Sequence, residues 1–237
     1  MLIPLKAAVP VWGRPWANVA LMLLIISIST IALLQESGDL FLTLAGLSVQ
    51  VDPDTGELAF EFAKNILMLP VLAVSSSLLH AGWLHLAGNM LFLWVFGNAV
   101  NYKFGHVGYV VLYLAAALVG GLAHYALEGG PVVGASGAIN GVMGAFLVYF
   151  PRNDVKVFYF WFLRFGTFMM SGIWLVLMYV AWDVLYLAMG ADVSTALWAH
   201  VGGFVAGFGA ALLCLLAGWL RPTEDEETLL QLLGIHQ

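Results

Sequence analysis

Charge is scarce in this chain: Asp, Glu, Lys and Arg make up 9% of its 237 residues, whereas 62% are hydrophobic. Soluble domains run at about a quarter charged and about half apolar, so a water-solvated globule is excluded and a lipid-embedded domain is indicated. Cysteine is almost missing. The single residue, Cys214, lies in an apolar run, which rules out an internal disulfide and any multi-cysteine metal site. Basic clusters are absent as well, so nucleic acid is not an expected partner. The formal charge of -6 does not point to an acidic binding face, because Glu224, Asp225, Glu226 and Glu227 supply much of it.

What the chain has instead is a succession of apolar segments. Six read as spans, a full crossing taking roughly 20 residues: 16–34, 84–100, 107–127, 136–150, 171–189 and 197–220. With a cytoplasmic N-terminus, Lys6, Arg14, Lys103, Arg152, Lys156, Arg164 and Arg221 all fall inside, and Lys64 alone falls outside. Both termini are therefore expected in the cytoplasm. The first segment is long and has no small-residue cleavage site after it, so it reads as a retained span rather than a signal peptide. Short loops and the lack of an Arg-rich amphipathic presequence fit a bacterial inner membrane.

The expected fold is an all-α membrane protein, a six-helix bundle over 1–220 with a polar cytoplasmic tail, solvated or disordered, over 221–237. Between the first two spans runs a long connection, 35–83, with a polar turn at 52–56 and an apolar stretch over 66–79. That composition predicts short elements lying in the outer interface. Residues 157–168 are aromatic but interrupted by Arg164, which predicts a segment resting on the inner interface.

The fourth span is the most informative. From Ser136 only 15 residues precede Pro151 and Arg152, so its helix covers roughly 22 Å of a core about 30 Å thick. Its N-terminus then stops below the outer surface, and the Gly/Pro-rich loop 129–135 must descend to meet it. Lipid tolerates such a loop only around a protein-lined or water-filled cavity. A serine at a helix N-terminus on the floor of that cavity has backbone donors beside it that favour an oxyanion.

Gly134-Ala135-Ser136-Gly137 sets the serine between glycines. Taken alone, the motif serves helix packing as well as it serves a nucleophile, since Gly137 and Gly141 form a GxxxG pair. The last span adds Ala199-His200-Val201-Gly202-Gly203 and a second pair, Gly203 and Gly207. Two glycine-faced helices approach closely enough to bring Ser136 and His200 together. In the second span, His85 and Asn89 are four apart and share one helical face. Donors fixed in a dry site stabilise the oxyanion of acyl transfer by about 3 to 4 kcal/mol each; the blander role of this pair is to tie the long outer loop to the bundle, a role that suits His80 better.

His80-Ala81-Gly82-Trp83-Leu84-His85-Leu86-Ala87-Gly88-Asn89, then Gly134-Ala135-Ser136-Gly137-Ala138, then Ala199-His200-Val201-Gly202-Gly203-Phe204 together resemble the rhomboid family of intramembrane serine proteases. The resemblance runs from about 79 to 209 and implies cleavage of membrane-spanning substrates in the bilayer by a serine and histidine dyad, without metal or cofactor. Carried across, Ser136 attacks, His200 is base and then acid, and His85, Asn89 and the Ser136 N–H form the oxyanion hole. Many members have an aromatic residue four positions after the nucleophile, where this chain has Asn140, a candidate support for the imidazole. The first loop also lacks the family's frequent Trp-Arg pair. Asp183, near the outer end of the fifth span, fits a structural hydrogen bond better than a triad role, and His124 and His106 read as interfacial residues.

The rival readings are a transporter, a metalloprotease and an inactive relative that binds membrane proteins. The halves show no matching repeat, and no His-Glu-x-x-His pattern occurs. The intact Ser136 and His200 weigh against an inactive relative.

Overall fold

Apolar chain in lipid must satisfy its own backbone hydrogen bonds, and helices do so locally. The computed structural model describes residues 2–9, 13–35, 38–51, 58–62, 67–162, 164–188, 196–224 and 226–235; the turn expected at 52–56, Lys64 and the expected end of the fifth span at 189 lie outside these. In order, the elements are β1 (Leu2–Ala7), α1 (Trp16–Leu34), α2 (Asp39–Ala45), β2 (Leu47–Val51), β3 (Leu58–Phe62), α3 (Leu69–Ser75) with a 3-10 turn at Ser76–Leu78, and α4 (Trp83–Phe92). A π-helical turn, Leu93–Gly97, leads into α5 (Asn98–Leu127), followed by α6 (Ser136–Tyr149), β4 (Asp154–Trp161), β5 (Arg164–Ser171), α7 (Gly172–Ala188), α8 (Leu197–Leu216) and α9 (Leu229–Leu232).

Among the described residues three helical runs, Trp16–Leu34, Trp83–Leu127 and Leu197–Leu216, are long and apolar enough to cross a membrane, and Ser136–Tyr149 and Gly172–Leu185 are shorter apolar helices. The second run has 45 residues, roughly 68 Å of helix, about twice a hydrocarbon core. It is broken at Gly105, whose φ of 68° and ψ of 175° are non-helical; only glycine takes that conformation without strain. Near the start of α1 the fully buried Asn18 donates to the Leu93 carbonyl in the π turn and to Asn98 Oδ1, and accepts from the Tyr109 hydroxyl. One amide thus ties α1 to both sides of the π turn, where the backbone is widened.

The all-α expectation is corrected in two places. Residues 157–168, read as a segment resting on the inner interface, lie within the hairpin β4–β5, and β1 adds to its other edge in the antiparallel order β1-β4-β5. Along β4 the residues Val155 and Val157 are buried while Asp154 and Lys156 are exposed, the alternation of a half-buried strand. Paired strands satisfy the backbone where a helix is not formed. Within the long connection over 35–83, β2 and β3 make a second antiparallel pair. The tail also differs from a solvated segment: Glu226 and Thr228 are buried, Glu226 pairs with Lys103, and Arg152 makes a bidentate contact with Glu227 at 2.9 Å.

Helix α6 is the centre of the bundle. Every residue in it is buried except Ser136 and Asn140, which are four apart and so share a face. It packs most extensively on α8, because glycines remove the side chains between them. A Cβ on Gly203 would overlap the Gly137 carbonyl and one on Gly207 the Gly141 carbonyl, while one on Gly144 would lie 2.6 Å from the Phe204 carbonyl. The predicted GxxxG pairs interlock.

Candidate active site

Ser136 is the first residue of α6, and no side chain caps that end. The first-turn N–H groups are therefore free to meet an acceptor. The loop before it is held by two bonds: Gly134 N–H donates to the Ser76 carbonyl at 3.0 Å, and Ala135 N–H to His80 Nε2 at 3.5 Å. Because Nε2 accepts, the His80 proton sits on Nδ1, which donates to Ser29 Oγ at 2.9 Å; Ser29 in turn donates to the Leu78 carbonyl. Burial, with His85 nearby as a second cause, lowers the His80 pKa to about 4 and keeps the ring neutral. His80 thus joins α1 to the serine loop, the tying role its position implied.

His85 packs edge-on against His80, ring centroids 5.0 Å apart. Gly134 has φ of 125°, and a Cβ there would lie 2.9 Å from His85 Cε1 and Nε2 and 3.7 Å from Ser136 Oγ. Both conformation and space demand glycine, and the imidazole and the hydroxyl border the space that a side chain there would fill. One turn further along α4, Asn89 is buried, and its Nδ2 has no hydrogen-bond partner among the described residues. Buried donors are rarely left so. His85 also lines a cleft of about 710 Å³ with Trp83, His124, Glu128, Pro131 and Val133. His124, read as interfacial, is buried within this wall, its Nδ1 3.2 Å from Glu128 Oε2.

His200 enters from α8. The Cβ position of Gly137 is 3.1 Å from the Ala199 carbonyl, so the residues next to Ser136 and His200 abut. The His85 and His200 rings are within electrostatic reach of each other. Among the described residues no hydrogen bond joins Ser136 Oγ to the His200 ring, a contact that tightens in many enzymes only with substrate bound. His200 Nδ1 instead lies 2.9 Å from Asp183 Oδ2 of α7. The Asn140 amide turns away and donates to the Ser136 carbonyl at 3.0 Å. The imidazole is therefore supported by Asp183 and not by Asn140, because the i−4 carbonyl on its own helix captures the Asn140 amide. The sequence signal for Asp183 was a carboxylate in an apolar span, which demands a partner but does not name it. No cluster of three metal-ligating side chains occurs among the described residues.

A family model described as the Rhomboid domain matches residues 71–217. The chain is 37% identical over 135 residues to "Rhomboid protease GluP" of Bacillus subtilis (strain 168), covering 56% of this chain and 24% of that protein. To "Rhomboid protein 1, mitochondrial" of Saccharomyces cerevisiae it is 31% identical over 165 residues, 66% of this chain and 43% of the relative. To "Rhomboid protease GlpG" of Klebsiella pneumoniae (strain 342) it is 28% identical over 148 residues, 62% of this chain and 49% of the relative. The match thus spans from about a quarter to about half of each of these relatives.

Proposed function

The chain belongs to the rhomboid family, and on that footing we propose that it is an intramembrane serine endopeptidase cutting transmembrane segments of membrane proteins. Ser136 Oγ attacks the scissile carbonyl while His200 Nε2 takes its proton. The oxyanion is received by His85, Asn89 and the Ser136 backbone N–H. His200 then returns the proton to the leaving amine, and water taken through the cleft hydrolyses the acyl-enzyme with His200 again as base.

The observation that carries this reading is the convergence at the N-terminus of α6. The Cβ position of Gly134 lies close to both the His85 ring and Ser136 Oγ, and Gly137, beside Ser136, abuts Ala199, beside His200, so residues of three helices gather there. The orphaned Nδ2 of Asn89 supports the oxyanion assignment, since a buried donor gains most when an acceptor arrives. The names of two of these relatives, both called proteases, agree with it. Six crossings follow if the run through Gly105 counts as two and α6 and α7 as one each. In that arrangement both termini lie in the cytoplasm of a bacterial inner membrane. The protease occupies 1–220, with 221–237 as its cytoplasmic segment.

The test is cleavage of a fluorescent transmembrane substrate in liposomes by wild type, Ser136→Ala and His200→Ala at equal folded yield, with and without a metal chelator. Cleavage lost in both variants and indifferent to chelator is expected. Chelator-sensitive cleavage that survives Ser136→Ala overturns the proposal.

A further inference from the structure

A neutral imidazole carries its proton on one nitrogen or the other, and only the Nδ1–H tautomer leaves a lone pair on Nε2 to receive a proton. On His200 the partner at Nδ1 is the carboxylate of Asp183, 2.9 Å away, and both side chains are largely shielded, at 13% and 28% exposure. A carboxylate can only accept there, so it selects the Nδ1–H tautomer and fixes the plane of the ring. We propose that Asp183 is the positioning residue of the catalytic base, extending the assignment of Ser136 and His200 on which this inference rests. It acts through His200 and touches neither substrate nor nucleophile.

Three further observations favour this role over simple pairing of a stray charge. First, the alternative support is already engaged, because Asn140 donates to the Ser136 carbonyl. Second, the carboxylate sits on a stretch of α7 where the neighbouring Val184 and Leu185 are exposed. An ionised group on such a helix is costly unless it has a partner inside the bundle. Third, the start of α7 is anchored by Gly172 N–H and Ile173 N–H, which bond the Asn153 and Pro151 carbonyls, and at its middle Tyr179 reaches the Leu2 carbonyl. Among the described residues α7 meets α8 at few places, and the Asp183–His200 hydrogen bond spans that seam. Ser136 and His200 come from the tightly packed pair α6 and α8, whereas the group that orients the base arrives on this more loosely packed helix. His200 is consequently an oriented base only while α7 lies against α8.

The full-length protein is reconstituted in liposomes as wild type, Ser136→Ala, Asp183→Asn and Asp183→Glu. Two rates are read: turnover of a fluorescent transmembrane substrate, resolved into kcat and KM, and covalent labelling of Ser136 by a fluorophosphonate, which needs no particular substrate. Asparagine keeps the shape but can present its amide N–H to Nδ1 and favour the wrong tautomer. The expected result is a fall of about 10²- to 10⁴-fold in kcat and in labelling, by analogy with the soluble triad, with KM and the thermal midpoint little changed. Asp183→Glu, which keeps the carboxylate, recovers at least about tenfold of the loss. Wild-type labelling and kcat in Asp183→Asn overturn the inference. So does a loss of activity that tracks a lowered thermal midpoint and is no smaller in Asp183→Glu. If Ser136→Ala still cleaves, the underlying assignment fails; if Ser136→Ala is dead and Asp183→Asn is normal, only the role of Asp183 fails.

Discussion

Gly203 of α8 lies so close to Gly137 of α6 that a Cβ on Gly203 would overlap the Gly137 carbonyl oxygen. The obstacle is backbone, which cannot rotate aside as a side chain can. Since α6 carries Ser136 and α8 carries His200, the contact that packs the bundle also sets the spacing of the site.

Gly203→Ala is therefore expected to destabilise the protein by about 3 kcal/mol, the upper part of the range for overpacking, and to reduce cleavage in the fraction that remains folded. Thermal unfolding in detergent, with labelling of Ser136 on the same samples, measures both. Gly209, whose Cβ position meets nothing within 4 Å, is the control, and Gly209→Ala should leave stability and activity as they are.

Asn89 separates stability from activity. Its Nδ2 is buried and unpartnered among the described residues, so Asn89→Leu removes a donor that makes no bond in the resting protein. The thermal midpoint should hold or rise, while kcat should fall by about 10²- to 10³-fold if this amide receives the oxyanion. A parallel loss of both would mean that Asn89 holds the fold instead.

The His80 ring predicts a pH effect. Its folded pKa lies near 4, depressed mainly by burial, against about 6.5 when unfolded. The unfolded state therefore binds the extra proton first, so the stability conferred by the neutral ring is complete above about pH 6.5 and is lost as pH falls from there toward 4. A loss of up to about 3 kcal/mol follows from the size of that shift. Thermal midpoints from pH 7.5 to 4.5 should drop more steeply for wild type than for His80→Gln.

The tail supplies a fourth test. Lys103 and Glu226 form an ion pair with side chains 6% and 4% exposed, and Lys103 also donates to the Arg221 carbonyl. Glu226→Gln leaves the ammonium buried without its counter-charge, which should cost about 3 to 5 kcal/mol. Replacing both, as Lys103→Met with Glu226→Leu, should cost clearly less. A double-mutant cycle on unfolding free energies reads the difference.

Residues whose meaning is local are legible in the amino-acid sequence alone. The apolar runs place α1 and α8 at 16–34 and from 197 onward. Pro151 marks the stop of α6, and the four-residue spacing puts His85 and Asn89 on one face of α4. The glycine pairs of α6 and α8 announce a close approach, and the interlocked backbones show it. The aromatic run over 154–171 is compatible with helix and strand alike, and pairing with residues 2–7, about 150 positions away, decides for strand. Glu226 reads as a solvated charge until Lys103 comes to meet it.

By itself, then, the sequence determined that this chain lives in lipid, roughly where its long apolar helices lie, and that His85 and Asn89 share one helical face, because hydropathy, helix breakers and helical periodicity act over a few residues. Tertiary structure alone decided that Asp183 and not Asn140 meets His200. The choice depends on the rotation of α7 against α8 and on the competing carbonyl one turn back along α6, and packing between helices sets that geometry.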